Sequence, residues 1–318
     1  MKKGKIAAAV ILSAALTLGT GVLMLNNNAQ EQPTQQPAVR TETNQLPANP
    51  PVSQDTAAEQ DEKKPENTPP NQGQTQTNPN ADDQSGSSVQ TGANEKMGWY
   101  YKPNKEHKLP EVNPKGKALL QKYNGIYHGY TGGKNIYLTF DEGYENGYTP
   151  KILDTLKQNN VKAAFFITGD YLRRHPDLVK RMVNEGHIVG NHTDNHPSLP
   201  QVSDAMVQKE IQTLSEDFAK LTGGKMTYLR PPMGEYSERT LKISHEMGYR
   251  NVFWSVALVD WRPDAGSPEQ NKNTVMERLH DGAVILLHAV NKANADMLAD
   301  LIQECKEKGY QFKSLDEI

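Results

Sequence analysis

The sequence predicts an α/β domain with a mainly parallel sheet, and the placement of its chemically capable residues favours a (β/α) barrel. From Lys134 onward, short apolar runs alternate with amphipathic helical stretches over about 185 residues. The chemically capable residues Asp141, His192, Arg230, Asp260 and His288 fall at or just past the C-terminal ends of successive runs. In a barrel those ends share one face, whereas in an open sheet they spread along an edge. Periodicity alone does not separate the two. The third observation bounds the ordered part: no aromatic residue occurs from Asn26 to Gly98, and Trp99-Tyr100-Tyr101 then restores them abruptly.

Taken in order, Lys2, Lys3 and Lys5 precede the apolar run Ile6–Leu25. A basic flank before an apolar segment marks export, and about 20 residues suffice to span a bilayer. With no clean A-x-A site following, residues 1–25 read as a signal peptide or, preferably, an uncleaved signal-anchor helix that contacts the membrane. The lysines stay inside and the remainder faces out. Residues 26–96 are rich in Gln, Asn, Pro, Thr and Ser. Such a segment buries too little apolar surface to offset its chain entropy and reads as a disordered linker, with a reach of roughly 45–50 Å. Residues 97–133, with Tyr123, Tyr127 and Tyr130, read as an extension packed on the catalytic domain, with a short helix around Leu119 and Leu120.

The domain proper spans 134–318. Strands are expected at 135–140, 162–167, 187–190, 227–229, 251–256, 283–287 and 310–312. Thr149 and Pro150 mark an N-cap and first-turn proline ahead of Ile152, Leu153 and Leu156. After Asp204, the residues Met206, Ile211, Leu214, Phe218 and Leu221 form a stripe. Ser237 caps a helix that ends at Gly248. Met297, Leu301, Ile302 and Cys305 share a face before Gly309. Cys305 is the only cysteine, which excludes an intramolecular disulfide and any CxxC metal site. A net charge of -3 excludes a nucleic-acid partner, for want of a basic field. Oligomeric state is not encoded in any of these features.

The chemistry centres on Thr139-Phe140-Asp141-Glu142-Gly143. Adjacent strand residues point to opposite faces, so Asp141 and Glu142 converge only at an irregular strand end. His192 and His196, four apart, lie on one side of a helical turn and can chelate one cation. Imidazole nitrogens with a carboxylate suit zinc or a similar divalent ion. Arg230 opens the stiff turn Pro231-Pro232-Met233-Gly234 and can hold Asp141 ionised. His288 ends the apolar run Leu286-Leu287. With Asp260 nearby, its imidazolium is a candidate general acid.

Five segments occur in one order: Thr139–Gly143, His192–His196, Arg230–Gly234, Asp260-Trp261 and Leu286–His288. From about Asn135 to Ile318 the chain resembles the polysaccharide deacetylase family with the NodB homology domain, the carbohydrate esterase type. That resemblance implies a distorted (β/α) barrel and metal-assisted deacetylation of sugars. It makes Asp141 the base, His288 the acid, Arg230 the residue orienting the base and Asp260 the one tuning the acid. Trp261 and Leu286 become walls of the acetyl pocket, and Met233 contributes a backbone N–H to the oxyanion. One divalent metal is implied, zinc with cobalt or manganese as substitutes, on His192, His196 and Glu142. Glu142 stands where the family usually has a second aspartate and is one methylene longer.

The segment from Gly143 through Tyr144 to Thr149, together with 252–256, 259–261 and Trp99–Tyr101, resembles the subgroup of peptidoglycan N-acetylmuramic acid deacetylases. Tyr144 joins the substrate-binding set on that likeness. The subgroup implies peptidoglycan strands as partner, a product that closes to muramic δ-lactam in spore cortex, and an extracytoplasmic, anchored or secreted enzyme. Alternatives are deacetylation of wall N-acetylglucosamine, chitin oligomers or acetylxylan, an inactive wall-binding protein, and, from the paired carboxylates, a glycoside hydrolase.

Overall fold

A computed structural model describes residues 93–262 and 265–318. The expected signal-anchor at 1–25 and nearly all of the linker at 26–96 lie outside them. Among the described residues no helix is long and apolar enough to cross a membrane.

Three two-residue strands, β1 (Met97–Gly98), β2 (Tyr101–Lys102) and β3 (Glu111–Val112), precede helix α1 (Pro114–Lys122). The Asn113 side chain caps α1 by accepting from the Lys115 and Gly116 amides, and Pro114 needs no partner at the first position. The expected helix around Leu119 and Leu120 is therefore present, and both leucines are buried.

The domain then runs β4 (Asn135–Glu142), α2 (Thr149–Gln158), β5 (Ala164–Ile167), α3 (Gly169–Arg174), α4 (Pro176–Asn184), β6 (Ile188–Asn191), α5 (Asp204–Thr222) and β7 (Tyr228–Leu229). It continues with β8 (Glu235–Tyr236), α6 (Glu238–Glu246), β9 (Arg250–Asn251), β10 (Val256–Ala257), α7 (Pro268–Arg278), β11 (Val284–His288), α8 (Lys292–Glu307) and β12 (Gln311–Phe312). The main sheet has the order β10-β11-β4-β5-β6-β7-β9, with β12 also paired to β4. Every pairing within it is parallel.

This is the neighbour order of a (β/α) barrel with one seam left open. β9 and β10 are consecutive in sequence yet unpaired. The single strand expected at 251–256 is split there. The Val252 N–H still donates to the Leu229 carbonyl of β7 at 2.8 Å, but Ile126 of the extension bridges Val252 from the other side, and the Phe253 N–H donates to the Ile126 carbonyl at 2.7 Å. The fold is thus a curled parallel sheet, a half-barrel rather than a closed one. Because the strands run parallel, their C-terminal ends still open on one face.

The helices cover the sheet with the periodicity expected of them. Ile152, Leu153 and Leu156 of α2 are buried, as are Met297, Leu301, Ile302 and Cys305 of α8. On α5 the buried stripe is Val207, Ile211, Leu214 and Phe218, with Met206 turned outward. Ser203 caps α5, and Gly223 ends it at φ 71°, the left-handed turn that glycine takes without strain. Thr149 is inside the first turn of α2 rather than its cap; Tyr148 holds the cap position without a side-chain bond. Helix α7 buries only Asn271, Val275 and Met276, too few apolar residues for its period to stand out.

Leu287 lies fully buried in β11, between β10 and β4. Leu287→Ala is expected to lower the unfolding free energy of the chain by about 2–5 kcal/mol in chemical denaturation. A loss below about 1 kcal/mol would contradict a close-packed centre at that strand.

Candidate active site

Asp141 and Thr139 share one face of β4, two residues apart, and both meet Arg230 from the end of β7. The guanidinium donates to Asp141 Oδ1 at 2.6 Å, to Thr139 Oγ1 at 2.9 Å and to the Val252 carbonyl at 3.1 Å. It is fully buried, 4.2 Å from the Phe166 ring centroid. Burial pushes the Asp141 carboxyl up, but the charges of Arg230, His192 and His288, with the Arg230 hydrogen bond, outweigh it and hold the carboxyl below its ordinary value. Asp141 is an ionised carboxylate at the floor of a cavity of about 730 Å³.

Glu142 does not join it. β4 stays regular through its last residue, so alternation sends Glu142 to the opposite face. There it is fully buried, its Oε2 3.5 Å from the Thr149 hydroxyl and its Oε1 without a hydrogen-bond partner. Burial, then the charges of Glu145 and Asp141, raise its pKa well above the usual carboxylate value, with the Thr149 hydrogen bond offsetting only part. Glu142 is a core carboxyl whose burial favours the neutral form, and it does not line the cavity.

The two histidines do meet, but not through a helical turn. After β6 the chain is irregular, with Thr193 at φ 66° and His196 at φ 58°. Left-handed backbone at a β-branched threonine is strained and persists only where the surroundings fix it. Asn191 Oδ1 accepts from the Thr193 N–H at 2.8 Å, and Thr193 Oγ1 accepts from the His196 N–H at 3.0 Å. Glu210 of α5 accepts from the Asn195 backbone and side-chain amides.

His192 Nδ1 faces the Arg230 carbonyl at 2.7 Å, which only accepts, so Nδ1 carries the hydrogen and Nε2 presents its lone pair. Burial pushes the His192 pKa down to about 4, against the pull of Asp141, which keeps the ring neutral. Nε2 of His196 lies 3.2 Å from Nε2 of His192, and Asp141 Oδ2 lies 3.6 Å from the latter. Two nitrogens each about 2.0–2.1 Å from one tetrahedral ion would be roughly 3.3–3.4 Å apart. The spacing of the pair therefore fits two ligands of one divalent cation. Among the described residues no group of three His, Cys, Asp or Glu side chains is arranged to hold a metal. The three-residue set with Glu142 is not assembled.

Across the cavity, His288 Nδ1 meets Asp260 Oδ1 at 2.7 Å, and the His288 N–H donates to Asp260 Oδ2 at 2.9 Å. Burial pulls the His288 pKa down, but the Asp260 hydrogen bond and charge, with Asp141, raise it above its ordinary value. Trp261 packs edge-on against His288 at 5.6 Å between ring centroids. Tyr144, Met233, Trp261 and Leu286 line the cavity, whereas Arg230 and Asp260 stand behind Asp141 and His288.

Met233 sits at φ 59° in the proline turn. The extension braces that turn: the Trp99 N–H donates to the Gly234 carbonyl at 2.8 Å, and its indole N–H to the Trp254 carbonyl at 2.9 Å. Sequence reasoning missed these braces, the Asn191 and Glu210 supports, and Asn294, whose amide reaches Asp260.

A family model described as polysaccharide deacetylase matches residues 128–252. The peptidoglycan-N-acetylmuramic acid deacetylase PdaA of Bacillus subtilis is 43% identical over 227 residues, 71% of this chain and 86% of that protein. Its solved structure, a family 4 carbohydrate esterase, matches with a TM-score of 0.69 over 70% of this chain and 97% of that one. A family 4 carbohydrate esterase from Bacillus anthracis, 44% identical, matches with a TM-score of 0.61 over 70% and 96% of the two chains. These likenesses define a carbohydrate-active hydrolase on an α/β scaffold. The chain belongs to the polysaccharide deacetylase family.

Glu142→Gln separates the neutral core carboxyl from a metal ligand. A carboxyl with a raised folded-state pKa contributes stability below its unfolded pKa and loses it as pH rises through the folded one. Glutamine has no such loss, so the melting temperature of Glu142→Gln should gain on the wild type as pH rises. Zn²⁺ affinity by calorimetry should stay unchanged. A flat difference with weakened Zn²⁺ binding would make Glu142 a ligand.

Proposed function

We propose that the chain hydrolyses the acetamide of N-acetylmuramic acid in peptidoglycan strands outside the cytoplasm. The observation that carries this is the placement of an Arg230-bound carboxylate and an Asp260-bound imidazole in one cavity, with two imidazole lone pairs beside the carboxylate. The choice of glycan rests on the 43% identity to an enzyme named for that sugar.

In the proposed reaction the acetamide enters between Trp261 and Leu286, with Tyr144 at the rim. His192 and His196 would hold one divalent cation, zinc or in its place cobalt or manganese, through their Nε2 atoms, and it would supply Lewis acidity. Asp141 takes the proton of the attacking water. The Met233 N–H donates to the oxygen that becomes anionic. His288 delivers a proton to the sugar nitrogen, without which the amine is a very poor leaving group. Acetate departs, and the freed amine beside an unblocked lactyl carboxyl can close to a δ-lactam, the chemistry of spore cortex. Residues 1–25 serve as a signal-anchor, 26–96 as a tether, 97–133 as a packed extension and 134–318 as the catalytic domain.

The test is mass spectrometry of peptidoglycan fragments, with and without stem peptides, after incubation with the full chain. Loss of acetyl from peptide-free muramic acid is expected. Asp141→Asn should abolish it, and chelation should abolish it reversibly, with Zn²⁺, Co²⁺ or Mn²⁺ restoring it. Acetyl loss from N-acetylglucosamine alone would reassign the substrate. New reducing ends would make the chain a glycoside hydrolase, and no change would favour a wall-binding protein.

A pH profile tests the acid. Asp260 raises the His288 pKa, so its proton persists to higher pH than that of a free imidazole. In Asp260→Asn burial dominates, and the alkaline limb of kcat/KM should move to lower pH. An unmoved limb would remove His288 from the acid role.

A further inference from the structure

Asn294 is 1% exposed in the first turn of α8, outside the five segments that carry the family resemblance. It lies on the face that the apolar residues Met297, Leu298 and Leu301 turn inward, where a leucine would satisfy packing. Its amide nitrogen donates to Asp260 Oδ2 at 2.5 Å and to the His288 carbonyl at 3.0 Å. Both partners only accept, so the nitrogen is the atom that must face them. Its Oδ1 accepts from Asn271 Nδ2 at 3.0 Å, which fixes the amide from the other side.

We propose that Asn294 is a positioning residue for the acid: it orients Asp260 and disperses its charge, setting how readily His288 gives up its proton. This rests on the acid role proposed for His288. Asp260 Oδ2 has two donors, the Asn294 amide and the His288 N–H, and Oδ1 is left to His288 Nδ1. A carboxylate whose charge is shared with an extra donor attracts the imidazolium proton less strongly. Asn294 thus makes His288 a stronger acid than Asp260 alone would allow. Asp260 holds the proton on the ring, and Asn294 limits the hold. The other groups acting on the His288 charge are Asp141 and Arg230 across the cavity, with His196 beside them and the Trp261 ring at its edge.

The experiment compares Asn294→Leu and the isosteric Asn294→Asp with the wild type, as full chains, on the same acetylated glycan. Removing the donor should move the alkaline limb of kcat/KM up by about half a pH unit, and the added carboxylate should move it further. kcat should fall roughly tenfold with KM unchanged, in the range that supporting residues of an active site command. These shifts oppose that of Asp260→Asn.

A purely structural role predicts an unmoved limb and a rate that tracks the folded fraction, and that result overturns the proposal. Where Asn294→Leu does not accumulate as folded protein, the limb of Asn294→Asp decides. If the wild type releases no acetate, the deacetylase reading itself has failed. If it does and neither limb moves, only the role of Asn294 has.

Discussion

A carboxylate enclosed in protein is stable as an anion only if its charge is met on the spot. The contact between Arg230 and Asp141 does this, and the rest of the site is arranged around it. Both partners are buried, and breaking such a pair typically costs 3–5 kcal/mol because it strands one charge. Arg230 is over-determined accordingly. Thr139, Asp141 and Val252 accept its hydrogens, while Phe166 and Trp254 lie against its faces. Its own carbonyl then fixes the tautomer of His192. One residue thereby sets the charge of the carboxylate and the direction of an imidazole lone pair.

The parallel sheet makes that economy possible. Residues 89 positions apart in sequence touch because β4 and β7 deliver their ends to one face. The seam between β9 and β10 does not disturb this face, since the residues that leave the ladder are taken up by the extension. Residues 93–127 are in that sense part of the domain. Trp99 joins the Met233 turn to the Trp254 wall, and Ile126 occupies the place of a missing strand pair.

Much of this was legible in the sequence. The strand tips carrying Asp141, His192, Arg230, Asp260 and His288 stood out because apolar runs end at them, and the structure brings those five residues together. The helical spacing of His192 and His196 pointed to the right pair for the wrong reason: two left-handed residues make them meet. Glu142 was misjudged because its direction depends on whether β4 stays regular for one more residue, which no local pattern reveals. The strand at 251–256 was read as continuous because its apolar character is unbroken; only the competing partner at Ile126 splits it. Helix α7 left a signal in Ser267 and Gln270, which form a capping box. Asn294 also left one, as a polar residue in an apolar stripe, but its partner Asp260 lies 34 positions away in the irregular segment after β10.

The central claim is that Asp141 is an anion held by Arg230 inside the protein. A site-assigned ¹³C NMR titration of the Asp141 carboxyl in the wild-type chain tests it most directly. The account predicts a carboxylate still ionised at and below the ordinary aspartate midpoint of about 3.9. A midpoint well above that value would mean that burial outweighs Arg230, leaving the site without a charged base.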